Sequence, residues 1–104
     1  MLFVVHALDR KDGLQTRAKH YRAHRAHLDR APAEWIKIVS AGTLLEDDGK
    51  NTARGLLVFE AASRATVEAF CDVDPYQVGG VWETVRIHAY VSRRGWASPS
   101  STGI

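Results

Sequence analysis

Midway along the chain, Glu46-Asp47-Asp48-Gly49-Lys50-Asn51 is a polar turn cluster, and it constrains the fold more than any other stretch. Asp48-Gly49 is a hairpin dipeptide, because both positions tolerate positive φ, so the segments on either side must run antiparallel and pair. Before the turn, Trp35 to Leu45 is strand-like through Ile36, Ile38, Val39 and Leu44, with Ala41-Gly42 marking a bend or a close backbone approach. After it, Gly55-Leu-Leu-Val-Phe-Glu60 is the return strand.

A strand–helix unit precedes this hairpin and a helix–strand unit follows it. Leu2 to Leu8 is short and partly β-branched, with Leu2, Val4, His6 and Leu8 on one face and Phe3, Val5 and Ala7 on the other. Asp9 to Gly13 is a polar stop. Asp12, with Gln15 in the capping-box position, starts a helix that runs from about Gly13 to Arg30 and ends before Pro32, which has no N–H to donate. Beyond the hairpin, Ser63 reads as the N-cap of a short helix striped by Val67, Phe70 and Cys71. Asp74-Pro75-Tyr76-Gln77 then starts a further helical turn, with Asp74 as cap, Pro75 at the first position and Gln77 closing the box, before Gly79-Gly80 ends it. Val81 to Val91 is the last strand, with Val81, Val85, Ile87, Ala89 and Val91 on one face and Trp82, Thr84, Arg86, His88 and Tyr90 on the other.

The order βαββαβ predicts an α+β domain of the ferredoxin-like type: a four-stranded antiparallel sheet with both helices on one face. The domain spans residues 1–92, and residues 93–104, which have no period, read as a flexible tail. The other sheet face would be left bare with apolar and aromatic side chains on it, so a homodimer burying sheet against sheet is expected.

The 104 residues suffice for one modest core, and a formal net charge of +2 is too small to argue for a phosphate-binding surface. Arg17, Lys19, Arg22, Arg25 and Arg30 enrich the first helix as a solvated face. The third strand begins Arg54-Gly55, as in the RNA-recognition motif, but Leu56-Leu57-Val58-Phe59 lacks the aromatics on which bases stack, so no nucleic-acid partner is expected. No apolar run approaches the ~20 residues needed to span a bilayer, and no secretory signal opens the chain, so no membrane partner is expected. A single cysteine, Cys71, excludes an internal disulfide, reads as a small buried hydrophobe, and fits a cytoplasmic location.

The chemistry-bearing stretch is Tyr21-Arg-Ala-His-Arg-Ala-His-Leu28. With His20, it places three histidines at spacings of four and three. At about 100° per residue, His20, His24 and His27 share an arc of roughly 60°, along the edge of a buried stripe formed by Leu14, Ala18, Tyr21 and Leu28. His20 and His24 at i, i+4 could chelate a metal ion with His27 or a carboxylate as third ligand, but such pairs are common on helices without metal, and neither metal nor cofactor is expected. No Ser or Cys nucleophile stands beside a base and no Gly-rich loop opens a helix, which disfavours covalent and nucleotide chemistry and leaves proton transfer on a small molecule.

Leu2-Phe3-Val4-Val5, the Arg22 to Leu28 segment, Ser40-Ala-Gly-Thr-Leu-Leu45, Asp47-Asp48-Gly49 and Asp74-Pro75-Tyr76 together resemble the YCII-related family of the dimeric α+β barrel superfamily. Thr43 departs from it, the family commonly having proline there, as does the basic, histidine-rich run before His27. The resemblance implies an active-site pair that motif matching puts on His27 and Asp74, with His27 as general acid/base and Asp74 as its orienting partner. It also implies a lyase of the dehydrochlorinase kind or an isomerase acting on a small cyclic or aromatic compound. Arg17, His24, His6 and Tyr76 are the residues expected to line the substrate pocket. The alternatives are Asp74 acting only as the cap of Pro75, His27 as an exposed helix residue, and the whole chain as a non-catalytic small-molecule binding or regulatory dimer.

Overall fold

The computed structural model describes residues 1–11 and 13–95. The expected Asp12–Gln15 cap, the Leu14 side chain and residues 96–104 of the tail lie outside the described residues. The elements are β1 (Leu2–Asp9), α1 (Gly13–Asp29), β2 (Ile36–Leu45), β3 (Asn51–Ala61), α2 (Arg64–Asp72), α3 (Pro75–Val78) and β4 (Trp82–Tyr90). The sheet order is β2-β3-β1-β4 with every neighbouring pair antiparallel, the ferredoxin-like arrangement. The turn that joins β2 to β3 carries Gly49 at φ 82°, in the left-handed region that favours glycine.

The register sorts the side chains as alternation requires. Phe3, Val5 and Ala7 of β1 lie opposite Phe59, Leu57 and Gly55 of β3, and all six are buried under the helices. Val67 and Cys71 of α2 complete this core with Ile36, Tyr76, Val81 and Trp82. Burial at this level stabilises by about 1.5–3 kcal/mol per large apolar side chain. Leu2, Val4, His6 and Leu8 face the other way, half-buried beside Leu56, Val58 and Tyr90.

Two expectations are corrected. The last strand does not keep one alternation throughout: Asp9 pairs with Trp82 but Leu8 with Thr84, so Glu83 is the extra residue of a bulge. The bulge turns Trp82 into the core beside Val81 and leaves Glu83 in solvent. The second correction concerns α1, whose inward stripe is not Ala18 and Tyr21. Both are exposed, and the residues turned inward are Gly13, Arg17, His20, His24, His27 and Leu28. The His24 and His27 rings stack on Tyr76 and Phe70 while one nitrogen of each meets Asp74 or the Phe70 carbonyl, so polar residues take the place of the aliphatic stripe.

Capping is local and follows the sequence. Ser63 accepts from Thr66 N–H at the start of α2, and Asp74 accepts from Tyr76 N–H at the start of α3 with Pro75 in the first position. Gln77 does not close a capping box, because the Asp74 N–H is already donated to the Cys71 carbonyl. At the other end of α3, Gly80 has φ 80°, whereas Gly79 has an ordinary helical φ of −80° and is required for space. A Cβ at position 79 would lie 2.6 Å from His20 Nε2 and 2.7 Å from the Pro75 carbonyl oxygen. Gly79→Ala is therefore expected to lower the unfolding free energy by about 1–3 kcal/mol in urea titrations. Gly42→Ala, whose Cβ meets nothing within 4 Å, is the matched control and should cost nothing.

Candidate active site

Asp74 is 1% exposed, and a carboxylate removed from water to that extent needs hydrogen bonds to every lone pair it can reach. Its Oδ1 accepts from the Tyr76 N–H at 2.8 Å, which caps α3. Both oxygens also lie against Nδ1 of His24, at 2.8 and 2.9 Å. A carboxylate only accepts, so Nδ1 is the protonated nitrogen and Nε2 is left as the chemically available one. The imidazole is clamped by rings. It stacks on Tyr76 at a centroid distance of 3.9 Å and 4° from parallel, and the Trp82 ring meets it edge-on at 6.2 Å.

The partner of Asp74 is thus His24 and not His27, as motif matching expects. His27 lies one turn further along α1, stacks on Phe70 at 4.1 Å and donates its Nε2–H to the Phe70 carbonyl at 2.9 Å. That bond ties α1 to α2 and holds the His27 ring on Phe70, away from the Asp74 carboxylate that His24 meets. His6 is also displaced from its expected place: it belongs to the open face of the sheet, between Leu56 and Arg86, on the side away from α1 and Asp74. Arg17, His24 and Tyr76 do come together with Asp74.

A second buried carboxylate, not singled out from the sequence, completes the arrangement. Asp9 ends the core row of β1, and Arg17 reaches it with Nε at 2.9 Å and Nη2 at 3.1 Å in a two-pronged fork. The carboxylate is fully buried and the guanidinium 15% exposed. Burial works against the Arg17 charge, but the hydrogen bonds and charge of Asp9 outweigh it and hold the guanidinium above its ordinary value. Gly13 permits the approach, since a Cβ there would lie 2.7 Å from Asp9 Cβ. The available signal was alternation: the period that buries Phe3, Val5 and Ala7 puts Asp9 in the same row, where a charge needs a partner. The Arg17 guanidinium lies over the opposite end of the same assembly, 5.0 Å from the Tyr76 ring centroid.

These groups border a cavity of about 280 Å³ between α1 and the β2–β3 hairpin, lined by Arg17, Tyr21, His24, Leu57, Thr43 and Tyr76 among others. Ala41, Gly42 and Thr43 form its β2 side. Among the described residues, no group of three or more His, Cys, Asp and Glu side chains is arranged to hold a metal ion. His20 instead packs over Gly79. No helix among the described residues is long and apolar enough to cross a membrane.

A ferredoxin-like α+β domain with a histidine–carboxylate pair at the wall of a small pocket is the class of molecule defined by these features. The chain belongs to the YCII-related family, whose domain matches residues 1–90. It is 30% identical over 95 residues to Protein YciI of Escherichia coli O6:H1, covering 86% of this chain and 96% of that protein. Among solved structures it is similar to the 5-chloro-2-hydroxyhydroquinone dehydrochlorinase TftG of Burkholderia phenoliruptrix AC1100 in complex with 2,5-dihydroxybenzoquinone. The TM-score is 0.74 and the identity 31%, covering 86% of this chain and 93% of that one. An antibiotic biosynthesis monooxygenase shares the fold at TM-score 0.52 and 13% identity, covering 88% of this chain and all of its own.

Cys71 stands apart from the cavity. Burial, with the charges of Asp74 and Asp72 behind it, pushes its thiol up from 9.0 to about 12. Iodoacetamide is expected to leave Cys71 unmodified in the native protein at neutral pH and to alkylate it once urea unfolds the chain. The raised value also carries a stability effect: it is complete below pH 9 and is lost as the pH climbs towards 12. Urea midpoints should fall across that window, and fall less steeply in Cys71→Ala.

Proposed function

We propose that this protein is a small-molecule enzyme in which His24 is the general acid/base and Asp74 holds it in the productive tautomer. The observation that carries the reading is the anchoring of His24 Nδ1 on a buried carboxylate, which leaves Nε2 as the free nitrogen of a ring that lines the cavity. A histidine held in this way takes a proton at Nε2 and returns it, while the carboxylate steadies the imidazolium between the two steps.

The reaction class is a proton-transfer elimination or isomerisation on a ring compound. In the elimination of HCl from a chlorinated hydroxyhydroquinone, Nε2 takes one ring hydroxyl proton and returns it to the ring carbon that bears chlorine, giving the keto tautomer. Loss of a second hydroxyl proton then expels chloride with the C–Cl electron pair and leaves the corresponding hydroxyquinone, so the atoms and electrons balance without an added oxidant. The similarity to a dehydrochlorinase of this fold supports the choice, and a cavity of about 280 Å³ suits a single-ring substrate.

The assay is chloride release from 5-chloro-2-hydroxyhydroquinone, followed by a panel of halogenated and hydroxylated benzenes. His24→Asn keeps a donor at the Nδ1 position and deletes Nε2, and it should lower kcat by about 10²–10⁴-fold with the fold intact. His27→Ala should retain turnover and instead cost about 1–3 kcal/mol of stability, since it removes a half-buried hydrogen bond and a ring contact. Equal loss of turnover in both variants, or no turnover of any member of the panel, would defeat the assignment.

The reading includes a cytoplasmic homodimer, formed by packing two copies of the open sheet face. Leu2, Val4, Leu8, Leu56 and Tyr90 supply the apolar surface that supports it. Sedimentation at micromolar concentration should give twice the chain mass of 11.5 kDa. Leu56→Glu should bring it down to one chain, and a wild-type mass of one chain would exclude the dimer.

A further inference from the structure

We propose that Arg17 and Tyr76 form an anion subsite in the cavity, which takes an ionised oxygen of a single-ring ligand, whether a ring enolate or phenolate or a carboxylate on the ring. The proposal rests on the reading of the cavity as the substrate site. Its first support is an unsatisfied donor. Tyr76 is 2% exposed, and its buried hydroxyl has no well-aligned hydrogen-bond partner among the described residues, the Arg17 guanidinium being the charged donor set against it. Native proteins seldom leave a buried hydroxyl unpaired, because the lost hydration is not returned. The Trp82 indole N–H is also unpaired, but Trp82 does not line the cavity, whereas Tyr76 does.

The second support is the state of Arg17. The fork onto Asp9 engages Nε and Nη2, and the same fixed cation is set against the Tyr76 hydroxyl, both residues lining the cavity. The guanidinium lies close over Gly55, where a Cβ would make ordinary contact with Nη2 at 3.7 Å. The guanidinium and the imidazole of His24 both pack on the Tyr76 ring, so an oxygen bound to the Tyr76 hydroxyl lies in the same small cavity as the acid/base. Burial pushes the Tyr76 phenol up, and the Arg17 charge offsets this only in part, so the hydroxyl keeps its proton and serves as a donor. Two donors, one of them a fixed cation, match an oxyanion better than a neutral hydroxyl. Around the mouth, Arg25 lies over the Tyr21 ring and Asp29 contributes one negative charge.

The test is equilibrium binding to the full chain by calorimetry, with 2,5-dihydroxybenzoquinone as the enolate probe, benzoate as the carboxylate probe and neutral hydroquinone as control. At least one anion should bind more tightly than hydroquinone, and the tighter of the two names the oxygen. Tyr76→Phe retains the ring stacked on His24 and deletes only the hydroxyl, and it should weaken the anion about tenfold or more while leaving hydroquinone unchanged. The double variant Arg17→Gln with Asp9→Asn removes both charges together, so neither is left buried alone, and it should weaken the anion at least as much. Binding of neither anion, or binding indifferent to both variants, overturns the subsite. His24→Asn separates the two proposals. If it binds the anion normally with Tyr76 dependence while the wild type shows no turnover, the subsite stands and the acid/base role falls. His24-dependent turnover with anion binding indifferent to Tyr76→Phe gives the reverse.

Discussion

The Asp74 carboxylate ties together more of this molecule than any other group. One oxygen caps α3 through the Tyr76 N–H, and the pair of oxygens holds His24 on α1. These two tasks coincide because Asp74 immediately precedes the helix that carries Tyr76, and Tyr76 is the ring on which His24 stacks. Loss of the carboxylate would therefore release a helix start, a ring stack and an imidazole orientation together. Such a buried, multiply bonded carboxylate is weak evidence for net stability, since desolvation consumes much of the gain, but it specifies one arrangement of α1 over α3.

The same logic runs along the inner side of α1. A helix of this length ordinarily seats an aliphatic stripe on the sheet, yet here the stripe is Arg17, His20, His24 and His27, with Leu28 at its end. Each of the four has a specific receiver: Asp9, the space over Gly79, Asp74 and the Phe70 carbonyl. Directional bonds replace non-directional burial, so the rotation of the helix is set by acceptors in β1, α2 and the start of α3. Two of the four, Arg17 and His24, border the cavity, and the proposed proton transfer and anion binding rest on them.

Elements whose cause is local were legible in the residues. The Asp48-Gly49 hairpin, the Ser63 and Asp74 caps, Pro75 at its first helical position and the βαββαβ order all depend on neighbours a few positions apart. Asp9 was legible in principle, as an acid in a buried row of β1, but the same residue also fits a polar strand end. The Trp82 bulge was not legible, because the extra residue shows only when β4 is laid against β1.

The sequence by itself determined the secondary elements, the family-wide arrangement of the sheet and the presence of a histidine-rich helix near an Asp-Pro-Tyr turn. Only the tertiary structure decided which histidine meets the carboxylate. His24 and His27 are three residues apart on one helical arc, and a pattern in sequence gives them nearly equal claims. The choice falls to contacts made some fifty residues away, His24 with Asp74 and His27 with Phe70. It depends on how α1 is rotated over α2 and α3, a rotation that long-range packing sets and local propensity does not encode.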